Sequence, residues 1–244
     1  MRVCVLGSGS SGNALLVEGS RGPLLVDAGL SWREIEARSA RAGLSLSNLR
    51  WVLLTHEHTD HVRGLAPLRR RGVKVAASAG TLRALGIEGT VLSPGLEIEG
   101  VRVFPFPISH DAREPVGLRL EVNGTRVGIA TDLGQITDAV LSGLSGCHTV
   151  VLEANHDVSL LLSGPYPWSL KLRILGPEGH LANEETGRAI RLLGNGLQQV
   201  ILAHLSEENN TPALALETVA GAVDGWGGRL YLTYPDRPGV VVRS

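Results

Sequence analysis

The apolar positions of this chain fall in short runs with turn residues between them. Arg2–Leu6, Ala14–Glu18 and Pro23–Asp27 are β-type runs separated by Gly-containing turns, and they predict three strands. Ser31 with Glu34 three residues on has the spacing of a capping box, which predicts a helix over Ser31–Arg41. Arg50–Thr55 reads as a buried strand, Val62–Arg71 as a helix and Val73–Ala77 as a short strand. Glu97–Phe106, Val116–Val122 and Arg126–Thr131 predict a meander, with Asn123-Gly124 a hairpin turn between the last two. A helix over Gln135–Leu141 and a strand over Thr149–Glu153 follow. Then come a helix over Asn183–Leu193 opened by Glu184 and Glu185, which suit the positive end of its dipole, and a strand over Gln199–Ala203. Pro212–Val223 carries proline in its first turn and reads as a helix, and Arg229–Thr233 closes as a strand. Strands with interleaved helices predict a layered α/β protein. No repeat of 20–50 residues and no linker breaks the pattern, so residues 1–244 are expected to form one domain.

Composition narrows the function. The chain has 244 residues, 43% of them hydrophobic, and a net charge of −1, which is ample for a core and argues against disorder. No apolar run reaches the ~18 residues of a membrane span. Met1–Leu6 leads straight into Gly7 with no signal-peptide apolar region, and two cysteines, Cys4 and Cys147, make no disulfide scaffold. A cytoplasmic protein without membrane partners is expected. The near-neutral charge excludes a globally basic nucleic-acid binder but leaves a local basic patch open.

Gly7-Ser8-Gly9-Ser10-Ser11-Gly12 follows a strand, with Asp27 about 20 residues on, and so imitates a dinucleotide fingerprint. That fingerprint needs a helix directly after the glycines, so that its N-terminus meets the pyrophosphate. Here a hairpin pattern follows instead. The loop therefore reads as a tight turn, or as the mouth of a site built elsewhere.

The informative stretch is His56-Glu57-His58-Thr59-Asp60-His61. Three imidazoles and a carboxylate within six residues suit Zn, Mn or Fe without any thiolate. At a strand end His56 and His58 point the same way, while Asp60 and His61 follow in a loop and can turn to a second ion. His110, Asp132, His156 and His204 also lie just past apolar strand-like runs. Open α/β sheets place ligands at that edge, so strand ends far apart in sequence can converge there.

The order H-x-H-x-D-H, then His, Asp and His resembles the metallo-β-lactamase superfamily. Ser-Gly-Ser-Ser-Gly-Asn near the start, Val-Asp-Ala-Gly before the first helix, Gly-His-Leu-Ala-Asn-Glu-Glu and Ala-His-Leu-Ser-Glu-Glu-Asn-Asn add detail. Together they resemble its WalJ-type (YycJ-like) subgroup, bacterial 5′ exonucleases of that fold. The resemblance spans essentially the whole chain. It implies an αββα sandwich with a dinuclear metal site at one sheet edge. On that resemblance His56, His58 and His110 hold one ion, Asp60, His61 and His204 hold the other, Asp132 bridges them, and Asp27 is a buried structural aspartate.

A metal-dependent phosphodiesterase follows as an expectation, most specifically a 5′ to 3′ exonuclease acting on DNA rather than RNA. Two divalent ions, Zn or Mn, can share a hydroxide that is nucleophilic at neutral pH. Asp60 can orient it, and either His156 or His180 can protonate the leaving alkoxide. Arg113, Lys171 and Arg173 are local cations for phosphate, and Ser8 and Ser10 line the serine-rich loop. Ser206, Asn209 and Asn210 either bind a terminal phosphate or cap the helix near Pro212. Few aromatic residues are present for base stacking. A cyclic phosphodiesterase, a glyoxalase II-like thioesterase and a non-catalytic metal-stabilised binding module remain as alternatives. The oligomeric state, a dimer included, is open.

Overall fold

A computed structural model describes residues 1–194 and 196–243. Among these described residues, fourteen strands form two seven-stranded sheets. The first sheet contains β1 (Arg2–Gly7), β2 (Ala14–Glu18), β3 (Pro23–Val26), β4 (Trp51–Leu53), β5 (Lys74–Ala77) and β6 (Thr90–Val91). The second contains β7 (Leu96–Ile98), β8 (Val101–Pro107), β9 (Val116–Val122), β10 (Thr125–Ala130), β11 (Thr149–Glu153), β12 (Gln199–Ala203) and β13 (Arg229–Leu232). The short β14 (Val242–Arg243) returns to the first sheet beside β1. The helices are α1 (Trp32–Arg41), α2 (Thr59–Val62), α3 (Leu65–Arg70), α4 (Ala79–Leu85) and α5 (Asp138–Leu144). They continue with α6 (Val158–Ser163), α7 (Trp168–Leu175), α8 (Asn183–Leu193) and α9 (Pro212–Ala222).

The layering follows from period-two alternation in strands that are apolar on both faces. Val3, Val5, Leu15 and Val17 face the second sheet, where Leu118, Leu120, Val127 and Val151 meet them. The intervening Cys4, Leu6 and Leu16 face outward, onto Ile35 of α1, Leu68 of α3 and Leu82 of α4. On the other side Val150, Leu152, Val200 and Leu202 pack against Leu144 of α5, Ile190 of α8 and Val219 of α9. Two sheets face each other and helices cover both outer faces, which is the αββα arrangement the resemblance implied.

Both sheets run through three antiparallel pairings and then three parallel ones. The two halves thus share a topology, on a period far longer than 20–50 residues. Asp27 after β3 and Asp132 after β10 occupy matching places in it, each with φ of 58°.

Local signals set most boundaries. Ser31 closes the capping box with Glu34, and Thr211 caps α9. The single helix expected over Val62–Arg71 is instead α2 and α3, broken at Gly64. A Cβ at Gly64 would lie 2.0 Å from the Leu30 carbonyl oxygen, so the chain crosses too closely for a continuous helix. The strand expected over Glu97–Phe106 is two strands, because Glu99 and Gly100 both adopt positive φ and turn the chain. The helix expected at Gln135–Leu141 starts later, where Thr137 accepts a hydrogen bond from the Val140 amide. Helices α4, α6 and α7 carried no start signal the pattern reading recognised.

Gly29 marks another crossing, this one at the site. A Cβ there would fall 1.6 Å from the Asp60 carbonyl oxygen and 2.5 Å from the Asn13 amide nitrogen. Gly29→Ala is expected to cost about 1–3 kcal/mol through overpacking and to push the Asp60 turn outward. A thermal melt and metal analysis of the purified variant check this; wild-type values in both would contradict it.

Candidate metal centre

One edge of the sandwich collects the chemistry. Asp27 follows β3, the 56–61 turn follows β4, and His110 follows β8. Asp132 follows β10, Glu153 ends β11, and His204 follows β12. Asp27, Asp132 and His204 all have left-handed backbone, with φ of 58°, 58° and 54°. Such conformations cost roughly 1–3 kcal/mol each in non-glycine residues. Here each occurs where a strand must turn its side chain abruptly into the edge.

Among the described residues, candidate ligand atoms lie within 4.8 Å of one another in two neighbouring groups, His56, His58 and His110 and beside them Asp60, His61, Asp132 and His204, and in a third set, Asp132, Glu153, His180 and His204, that overlaps the second. His110 Nε2 lies 3.2 Å from His58 Nδ1. His61 Nε2 lies 3.2 Å from Asp132 Oδ2 and 3.5 Å from Asp60 Oδ2. His204 Nε2 lies 3.8 Å from Asp60 Oδ2.

These donors fit divalent cations. Among the described residues, His56 Nε2, His204 Nε2 and Asp132 Oδ2 are buried without a hydrogen-bond partner. Buried polar atoms are normally satisfied, and three such atoms within the candidate ligand groups fit positions where donors would meet a cation. The opposite ring nitrogens are held. His61 Nδ1 lies 2.8 Å from Asp27 Oδ2, and His204 Nδ1 lies 2.8 Å from Glu153 Oε1. A carboxylate on Nδ1 fixes the tautomer and leaves Nε2 for metal. Thr55 donates its hydroxyl to Asp27 and so fixes that carboxylate in turn.

The proton balance separates the two groups. Burial pushes His56 and His110 down from the usual imidazole range, so they are neutral ligands near pH 7. Burial also opposes charge on His61 and His204, yet it is overcome. Asp132 and Asp27 raise His61 well above its ordinary value. Asp132 and the nearby Asp60, with the hydrogen bond to Glu153, lift His204 to about 10. Burial would raise the Asp60 and Asp132 carboxyls, but the neighbouring histidines hold both well below the usual carboxylate range. Without metal, the second group is a carboxylate cluster neutralised by imidazolium.

The serine-rich loop belongs to this edge. Residues 7–14 connect antiparallel β1 and β2, with no helix after the glycines. The Ser8 hydroxyl accepts a hydrogen bond from the His204 amide at 2.8 Å. Asn13 Nδ2 donates to Asp60 Oδ2 at 3.1 Å and sits 3.0 Å from His61 Nε2. Ser8 is buried and braces the backbone of His204, while exposed Ser10 lines a cavity beside the centre. Ser206 and Arg173 line the same cavity.

Other expected site residues lie elsewhere. Lys171 is buried, its ammonium donating to the Leu162 and Gly164 carbonyls at 2.6 and 2.7 Å, so it is not a phosphate contact. Asn210 is buried and donates to the Ala154 and Asn155 carbonyls, which makes it a loop brace. Asn209 is 1% exposed and takes its turn from the Ser206 hydroxyl. Arg113 is exposed outside the cavity lining, with its amide donating to Glu57 Oε1 at 2.7 Å. His156 is 1% exposed, with no hydrogen-bond partner on either ring nitrogen among the described residues. Burial lowers it to about 4, so near neutral pH it holds no spare proton to donate and has no path to substrate.

His180 is different. Its ring centroid is 5.5 Å from that of His110 and 5.1 Å from that of His204, and it borders the cavity. Its Nδ1 lies 2.8 Å from Glu153 Oε1. Burial opposes its charge, but Glu153 outweighs burial and raises it above the ordinary value. Glu153 was missed by sequence reasoning. It is fully buried, and its Oε2 accepts the Leu133 amide at 2.8 Å. Its position at a strand's carboxyl end was the available signal, the same one that singled out His110, Asp132 and His204.

A two-sheet sandwich with this His/Asp cluster at its edge defines a metallo-β-lactamase-fold protein. Residues 23–205 match the family model described as the beta-lactamase superfamily domain. The chain is 36% identical to exodeoxyribonuclease YycJ of Bacillus anthracis, over 91% of this chain and 89% of that protein. It is also 36% identical to exodeoxyribonuclease WalJ of Streptococcus pneumoniae, over 95% and 94%. The crystal structure of the metallo-beta-lactamase fold protein YhfI from Bacillus subtilis superposes with a TM-score of 0.75, covering 97% of this chain and 98% of that one at 15% identity, a likeness of fold alone. The chain belongs to the beta-lactamase superfamily and, within it, to the family of the WalJ- and YycJ-type proteins.

Proposed function

We propose that this protein is a metal-dependent phosphodiesterase that degrades DNA from the 5′ end, with two divalent ions, Zn or Mn, at the His/Asp edge. The observation that carries the hydrolase is the set of buried, unpartnered polar atoms on His56, His204 and Asp132 within the candidate ligand groups, with His180 beside His204. The choice of DNA rests on relatives named exodeoxyribonucleases that align along nearly all of the chain. A cytoplasmic setting accords with two buried, free cysteines; among the described residues no helix is long and apolar enough to cross a membrane.

His56, His58 and His110 would hold one ion, Asp60, His61 and His204 the other, with Asp132 between them. The ions supply Lewis acidity toward phosphoryl oxygens and a nucleophilic form of water at neutral pH. The chain's own residues do the rest. Asp60, oriented by Asn13, aligns the attacking water. Attack on phosphorus breaks the bond to the 3′ oxygen of the terminal nucleotide, and His180, protonated through Glu153, donates the proton that oxygen needs. Arg173 lines the rim, where it is paired with Asp111.

His180→Ala is expected to lower turnover of 5′-phosphorylated duplex DNA by about 100-fold or more with metal content unchanged. A panel of duplex DNA, single strands, RNA, bis-p-nitrophenyl phosphate and a thioester, with Mn²⁺ or Zn²⁺, tests the wider reading. Thioester cleavage without phosphodiester cleavage would overturn it.

A further inference from the structure

Beside the metal centre a cavity of about 250 Å³ runs from His110 and His180 outward to α7. Its wall is made by Tyr166, Leu170 and Ile174, the last two one helical turn apart on α7. Ser10 and Ser206 also line it.

The charges in this cavity do not suit a second phosphate-binding groove. Lys171, the ammonium nearest in sequence, is buried under α7 on two carbonyls. Arg173 is paired with Asp111. Asp111 and Glu178 add two carboxyl groups to the lining. What remains is a lining that joins Tyr166, Leu170 and Ile174 to polar residues such as Ser10 and Asn155, the setting for a group with apolar faces and polar edges. A nucleobase is such a group, and base–aromatic stacking tolerates any sequence. The volume, about 250 Å³, lies just below the roughly 300–1,000 Å³ of ordinary ligand pockets, which limits the occupant to a single base and not a length of strand.

The cavity opens beside His110 and His180 at the metal centre, so the group that fills it is attached directly to the phosphate that reacts. In hydrolysis from the 5′ end the leaving group is a single nucleotide, freed as a 5′-monophosphate with its 3′ hydroxyl restored. We propose that this cavity is a nucleotide subsite that takes the base of the 5′-terminal nucleotide, unstacked from its neighbour, against Tyr166, Leu170 and Ile174. The inference rests on the 5′ nuclease reading for the direction of the strand. It goes beyond that reading in making Tyr166 a determinant of end recognition.

The test is calorimetric titration of the metal-loaded protein with deoxyadenosine 5′-monophosphate and, separately, with deoxyribose 5-phosphate, which lacks the base. The subsite requires the mononucleotide to bind at least about ten-fold tighter. Tyr166→Ala should erase most of that difference and Tyr166→Phe should keep it. Equal binding of the two ligands by the wild-type protein would overturn the subsite without reference to any variant. DNA degradation is measured in parallel. DNA cleavage with equal binding refutes the subsite and spares the nuclease reading. A base-dependent difference without DNA cleavage refutes the nuclease reading and leaves a mononucleotide site.

Discussion

Glu153→Gln is expected to lower kcat on DNA by at least about 1,000-fold while the protein remains folded. One carboxylate serves two histidines here: Oε1 lies 2.8 Å from both His204 Nδ1 and His180 Nδ1. Replacing it with an amide removes the charge that stabilises the His180 imidazolium. It also removes the anchor that presents His204 Nε2 to the metal edge. Outer carboxylates on metal-ligating histidines are typically worth about 10–100-fold in affinity or activity, and a general acid about 10²–10⁴-fold. The amide also fits poorly, because its nitrogen or its oxygen must face the Leu133 and Leu181 amides that Oε2 now accepts. Steady-state kinetics with metal analysis check this. The acid-requiring limb of the pH profile should move to lower pH, since His180 loses the group that raises it. A variant with full metal content and more than a tenth of wild-type kcat would show that Glu153 is only a structural group.

The second large effect is the pH dependence of metal loading. In the metal-free protein His61 and His204 are held as imidazolium by Asp27, Asp132, Asp60 and Glu153, with His204 at about 10. A cation at Asp60, His61 and His204 must displace those protons. Its apparent affinity is therefore expected to rise about ten-fold per proton for each pH unit below those raised values. His56 and His110 are lowered, so the other group should bind with little pH dependence above about pH 7. Competition titration against a chromogenic chelator between pH 6 and 8 separates the two slopes, and identical slopes would contradict the assignment. The sign for stability follows from the same shift. His204 is raised when folded, so its contribution to the metal-free protein is complete below its unfolded value near 6.5 and fades as pH rises through about 10. Metal replaces that contribution. Chelation should abolish activity and lower the melting temperature, most strongly at alkaline pH.

How far the site was legible depended on how its residues were written in the chain. His56, His58, Asp60 and His61 form one motif, and their chemistry stands in the spacing. His110, Asp132 and His204 were legible because each follows an apolar run, and sheets place ligands past strand ends. Glu153 escaped because it is the last residue of β11 itself, where a single acidic side chain resembles an ordinary strand terminus. His156, Lys171 and Asn210 share the residue types and loop positions of functional groups. Burial alone removes them: His156 is 1% exposed, and the Lys171 ammonium is spent on two backbone carbonyls. Tyr166 gave no signal, since one aromatic in a proline- and glycine-flanked loop has no pattern.

By itself the sequence determined the alternation that makes strands apolar on both faces, the caps that open α1 and α9, and the ligand types that suit a divalent ion. These are local properties, fixed by neighbours in the chain. Only the tertiary structure decided which carboxylate stands behind which histidine, and which cations are free to meet a substrate. It also placed a small cavity with one aromatic residue beyond His180. Those outcomes depend on distances between strand ends that are remote in sequence. Two sheets with matching strand order bring Asp27, Glu153 and His204 to one edge, and nothing local records that they meet.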